Sequence, residues 1–130
     1  MVYSIPRVLF VHHEHVRFRD LDALGHVNNA VYATYLEQAR IEFLRGLGAT
    51  QDDMILARLE IDFRAPVGFG ADVQIEVRPA RVGTKSFGLD YTMRVDERVV
   101  AEAKSVLVAY DYGSEQSVEL PERWREALAA

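Results

Sequence analysis

The chain has 130 residues, the size of one ordinary domain. Its 49% hydrophobic and 27% charged content is that of a globular protein, and its net charge of -5 argues against a nucleic-acid partner, which calls for a basic face. It contains no cysteine, which excludes a disulfide framework, a thiolate zinc site and a cysteine nucleophile.

From the N-terminus, Met1 to Glu14 lacks an apolar core followed by a small-residue cleavage site, so no signal peptide is expected. No apolar run approaches the roughly 18 residues of a membrane helix, and the expected compartment is the cytoplasm. Val16 and Phe18 alternate with His15, Arg17 and Arg19, the pattern of a half-buried strand. Residues 20–29 break it with two Asp, one Gly and two Asn, which are loop residues. Val31, Tyr35, Ala39 and Phe43 then recur every four residues, and Tyr32 and Leu36 widen the stripe, predicting a helix over 30–45. Asn28 or Asn29 is the expected N-cap, and Gly46 or Gly48 the stop. The apolar residues extend around the helix, which predicts that it is largely covered.

The rest reads as strand almost to the end. Leu59, Ile61 and Phe63 alternate, a turn spans Ala65-Pro66 to Gly70, and Val73, Ile75 and Val77 alternate next. Pro79 cannot donate to a ladder, so a bulge or an edge is expected there. Phe87 to Val95 alternates, Asp96-Glu97 turns, and Val99 to Tyr110 forms the last long strand. Pro121 ahead of Trp124 and Leu128 predicts a short C-terminal helix, with Trp124 as a packing anchor. One long helix followed by four strands whose short connections predict antiparallel hairpins is α+β, with a five-stranded antiparallel sheet in a single domain over 1–130. One helix covers one face of such a sheet, and a second copy is the economical cover for the remainder.

Chemistry concentrates in the loop Asp20-Leu21-Asp22-Ala23-Leu24-Gly25-His26-Val27-Asn28-Asn29. It leads into a helix N-terminus, where outward N–H groups favour negative charge and suit an oxyanion. An ionised Asp nearby can attack a carbonyl or activate water. Composition alone equally describes an Asp- and Asn-rich turn that only caps the helix.

The order Asp-x-Asp-x-x-Gly-His-Val-Asn-Asn, with Tyr32, Tyr35-Leu36-Glu37 and Ala39-Arg40 after it, resembles the 4-hydroxybenzoyl-CoA thioesterase family of hotdog proteins. Arg58 to Phe63 with Ala65-Pro66-Val67, and Val82 to Phe87, are similar to later stretches of that family. The resemblance covers roughly residues 12 to 112 and implies a hotdog fold, with a five-stranded sheet wrapped around the long helix. It implies a homo-oligomer, a dimer through the sheets and a homotetramer of two dimers, with sites between one subunit's helix start and a strand of the other. It implies hydrolysis of an acyl-CoA, with no cofactor and no metal.

On that resemblance Asp22 is the catalytic carboxylate, and the backbone N–H near Asn29 polarises the thioester carbonyl. Gly25 and His26 belong to the same catalytic loop. Asp22 either attacks the carbonyl or deprotonates a water. The candidate substrate-binding residues are Asn28, Tyr32, Glu37, Arg58, Arg81, Lys85 and Ser86. Arg58, Arg81 and Lys85 are candidates for the coenzyme A phosphates. Glu37 is an alternative base, although Arg40, three residues on, is placed to pair with it. Asp20 faces away from Asp22 only if the preceding strand continues through the loop. His13 and His15 share a strand face opposite His12 and Glu14, a poor arrangement for a metal. Competing functions are a hotdog dehydratase, whose Gly-Asp-x-Asn-Pro signature before His is absent, a non-catalytic acyl-CoA-binding module, and a thioesterase acting on acyl carrier protein.

Overall fold

The structure is a computed structural model describing residues 10–129. Six strands and two α-helices follow in chain order: β1 (Phe10–His15), α1 (Asn29–Gly46), β2 (Met54–Phe63), β3 (Asp72–Val82), β4 (Ser86–Val95), β5 (Arg98–Asp111), β6 (Gln116–Ser117) and α2 (Glu122–Ala129). The five long strands form one antiparallel sheet in the order β1-β3-β4-β5-β2, and the two-residue β6 pairs with β5.

The inward positions of β3 and β4 are Val73, Ile75 and Val77, then Phe87, Leu89, Tyr91 and Met93. All are buried, and the sheet curls around α1, whose Tyr32, Tyr35, Leu36, Ala39 and Leu44 face it. Each fully buried side chain of this size contributes about 1.5–3 kcal/mol. The helix is less covered than its composition predicts. Its buried face follows the four-residue repeat, while Thr34, Glu37 and Gln38 remain exposed. The helix ends where expected: Gly48 adopts φ +73°, and the Ala49 N–H returns to the Leu44 carbonyl at 3.0 Å.

Three local expectations change. The first strand ends at His15, and the chain turns at Phe18–Asp20 because the Asp20 carboxylate accepts the Arg17 backbone N–H at 2.9 Å. Phe18 is therefore 79% exposed, resting edge-to-face on Phe69, and is not an inward strand residue. Second, β2 and β3 form no hairpin despite their short connection. The Arg64 and Ala65 N–H groups both donate to the Val100 carbonyl, and the chain then crosses the end of the sheet to β1's side. Third, Arg40 makes no ion pair with Glu37; its Nη1 donates to the Tyr91 hydroxyl at 3.4 Å. Pro79 lies in β3 beside an irregularity between Pro79 and Val82, the bulge its missing N–H calls for. Trp124 and Leu128 of α2 are buried, and Arg125 ties α2 to the Gly83 and Thr84 carbonyls.

Candidate active site

The loop between Arg17 and Asn29 is closed by its own backbone. Asp22 N–H donates to the His26 carbonyl at 2.7 Å, and Leu21 and Val27 form an isolated antiparallel bridge. The crossing segment after β2 braces it from outside, with Val27 N–H on the Val67 carbonyl at 2.9 Å and His26 bridged to Gly68. Gly25 sits at φ +81°, a conformation that strains any side-chain-bearing residue.

Within this frame the Asp22 carboxylate is held by one oxygen. Oδ1 accepts the Leu24 N–H at 2.9 Å and the His26 N–H at 3.3 Å. Oδ2 takes part in no hydrogen bond among the described residues, which leaves it for a ligand. Asp22 is half-buried and His26 exposed. At the helix start, the Asn28 side chain accepts the Ala30 N–H at 2.8 Å, so Asn28 is the N-cap. Asn29 is the first helical residue, and its N–H has no intrahelical acceptor. An open carboxylate oxygen and an open helix-start N–H thus share one short loop.

Asp20 has a different environment. It is 5% exposed, and its carboxylate accepts the Tyr35 hydroxyl at 2.6 Å besides the Arg17 backbone and guanidinium. Burial alone would raise its pKa. The hydrogen bonds from Tyr35 and Arg17, with the Arg17 charge, outweigh it and hold the carboxyl below its ordinary value. The same burial and the Asp20 bond push the Tyr35 hydroxyl well above its usual range. Asp20 is a positioning residue: its carbonyl also accepts the Asn28 N–H at 2.9 Å, so one residue grips both ends of the Asp22 loop.

The remaining candidates separate into three places. Tyr32 lies just inside the helix, its hydroxyl donating to the Ala65 carbonyl at 3.1 Å and its ring edge-to-face on Phe63. Glu37 lies on the exposed face two turns on. Arg81, Lys85 and Ser86 lie at the β3–β4 hairpin, the far end of an 11-residue strand from the Asp22 loop, about 33 Å by strand rise. Arg58 is in mid-β2, paired with Glu60 on the exposed edge. The structure therefore joins Asp22, Gly25, His26, Asn28 and Asn29, and keeps the basic candidates away from them within one chain. Of the histidines, His12 turns inward onto Glu14 at 2.8 Å and His13 meets Asp72 at 3.2 Å. Among the described residues no cluster of three or more His, Asp or Glu is arranged to hold a metal.

A family model of the thioesterase-like superfamily matches residues 16–128. The chain belongs to that superfamily. Among relatives of this thioesterase-like protein, a 1,4-dihydroxy-2-naphthoyl-CoA hydrolase of Nostoc punctiforme is 29% identical over 128 residues, covering 90% of this chain and 86% of that one. A thioesterase of Thermus thermophilus, solved in complex with coenzyme A and Zn, is 34% identical with a TM-score of 0.82, covering 91% of this chain and 90% of that one. A predicted thioesterase of Bacillus stearothermophilus superposes with a TM-score of 0.87 at 22% identity, covering 94% and 95% of the two chains. That last likeness concerns the fold, which is the hotdog.

Two residues of this thioesterase-like chain do more in the structure than their sequence context suggests. Asp20 reads as one of two equivalent loop carboxylates; Arg17 and Tyr35, the latter 15 residues on, distinguish them. Arg40 continues the repeat Tyr32-Leu36-Arg40-Leu44, and that spacing is the signal that a cation enters the buried face.

Proposed function

We propose that this chain hydrolyses the thioester of a small or medium acyl-CoA, giving the free acid and coenzyme A. Asp22 acts through Oδ2, either attacking the carbonyl to form a mixed anhydride that water cleaves, or taking a proton from the attacking water. The Asn29 N–H polarises the carbonyl and receives the developing oxyanion. The leaving thiolate takes up the proton that water supplies. The observation that carries this reading is the open Asp22 oxygen in the same braced loop as the open helix-start N–H. The names of the relatives point to the same substrate class. The finer kinship we infer is with the 4-hydroxybenzoyl-CoA thioesterases, and the compartment we infer is the cytoplasm. Among the described residues no helix is long and apolar enough to cross a membrane.

The working unit in this proposal is a homo-oligomer. β2 is an open edge, and it exposes Ile55, Leu56 and Phe63. A two-fold pairing of β2 with β2 of a second copy runs antiparallel. It sets the Met54 end of one copy beside the Phe63 end of the other. The partner's hairpin end, which carries its basic residues, then comes to the side of the Asp22 loop, which one chain alone leaves without them. Two such pairs give the proposed tetramer.

The experiment is thiol release from a panel of acyl-CoAs, short aliphatic to aromatic. With no cysteine in the chain, a thiol reagent reports only released coenzyme A. Turnover supports the proposal. Binding without turnover on every acyl-CoA refutes it in favour of a binding module or a carrier-protein substrate.

A further inference from the structure

Arg40 is 4% exposed, and among the described residues no carboxylate pairs with it. A guanidinium carries five N–H donors. Its one hydrogen bond among the described residues is the 3.4 Å bond to Tyr91, whose hydroxyl is already engaged with Ser105 Oγ at 2.6 Å. Its remaining donors are free to take an anion that reaches them. The space for that is present: Arg40 lines a cavity of about 220 Å³, whose walls include the apolar Leu44, Met54, Leu56 and Leu107. The cavity is open to solvent on one side, which gives a small ligand a way in.

We propose that this cavity binds a carboxylate borne on a short apolar body, with Arg40 as its counter-ion, and that it thereby selects acyl groups carrying a terminal carboxylate. The selection rests on the thioesterase reading and on the antiparallel β2 pairing. Eleven residues of helix, about 16 Å, separate Arg40 from Asn29 within one copy. The cavity borders Met54 to Leu56, the end of β2 that the two-fold sets beside the partner's Asp22 loop. Glu37 lines the same cavity from an exposed position and opposes an anion there.

Two arms test this. The first compares glutaryl-CoA with valeryl-CoA, which differ by carboxylate against methyl at the acyl terminus. Wild type is expected to favour glutaryl-CoA in kcat/KM. Arg40→Met, close in volume and uncharged, lowers the glutaryl-to-valeryl ratio about tenfold or more, Arg40→Lys lowers it less, and Glu37→Gln raises it. Equal wild-type rates, or an unchanged ratio in Arg40→Met, overturn the selection. The second arm measures thermal stabilisation by free glutarate against valerate and needs no turnover. A glutarate shift in wild type that Arg40→Met abolishes supports the anion site, even if no acyl-CoA is hydrolysed and the thioesterase reading fails. No glutarate shift, with Arg40→Met instead splitting the oligomer, assigns the guanidinium to a carboxylate of the second copy and overturns the proposal.

Discussion

The Tyr35 hydroxyl of α1 donates to Asp20 Oδ2 at 2.6 Å, joining the middle of the helix to the loop that carries Asp22. Both side chains are buried. Removing the carboxylate leaves the buried Tyr35 hydroxyl without its acceptor, and removing the hydroxyl takes away one of the bonds Asp20 accepts, each at a cost of about 1–3 kcal/mol. Asp20→Ala and Tyr35→Phe are each expected to lower urea-unfolding stability by that amount. The double variant should cost less than the sum, since the two remove one interaction. Strict additivity contradicts the coupling.

The same contact sets the response to acid. The Asp20 carboxyl is held below its ordinary value in the folded chain, so it contributes stability that is present above the unfolded pKa, near 3.9, and is lost as pH falls through the lower folded value. Wild type is expected to lose stability below about pH 4, and Asp20→Asn to lose less over the same range. Parallel stability-against-pH curves for the two proteins oppose this assignment.

Asn28 caps α1 through its bond to the Ala30 N–H. Asn28→Ala should cost about 1 kcal/mol of stability, and Asn28→Asp should retain most of it. Because the cap fixes the helix start that presents the Asn29 N–H, kcat of Asn28→Ala should fall with little change in KM. Chemical denaturation and steady-state kinetics on the two variants check both parts.

Much of this architecture is legible in the sequence. The four-residue repeat from Val31 to Phe43 gives α1 almost to the residue, and the alternation in β3, β4 and β5 gives their faces. What periodicity does not carry is partner choice. Nothing local to Phe63 to Asp72 tells the chain to cross the sheet, because the two N–H groups that turn it find their acceptor at Val100, more than thirty residues on. Val16 to Phe18 fails for a related reason: the alternation is real, but a side chain at Asp20 caps the backbone at Arg17 and ends the strand. The loop chemistry is visible as composition, yet the division of labour between Asp20 and Asp22 depends on Tyr35, which reads as a core residue. Lys85 and Arg81 are adjacent to nothing in the Asp22 loop of their own chain, and in the proposed pairing it is a second copy that brings such residues there.

The open β2 edge yields a prediction on assembly. Leu56 is 39% exposed beside an irregularity in the β2–β5 register. Leu56→Lys places a charge on the edge without entering the core, and in sedimentation it should shift the protein toward monomer. Leu56 also lines the Arg40 cavity, so assembly is the readout of this variant, and one that stays oligomeric contradicts the edge pairing. A fully active monomer contradicts the composite site.

The most direct test is the rate of coenzyme A release by Asp22→Asn beside wild type on the best acyl-CoA of the panel, with folding checked by the thermal midpoint. Asparagine keeps the shape and an oxygen for the Leu24 and His26 N–H groups but loses the charge. A fall of about two or more orders of magnitude in kcat with the fold intact is expected. An unchanged kcat would contradict it and move the base elsewhere, with Glu37 the next carboxylate to replace.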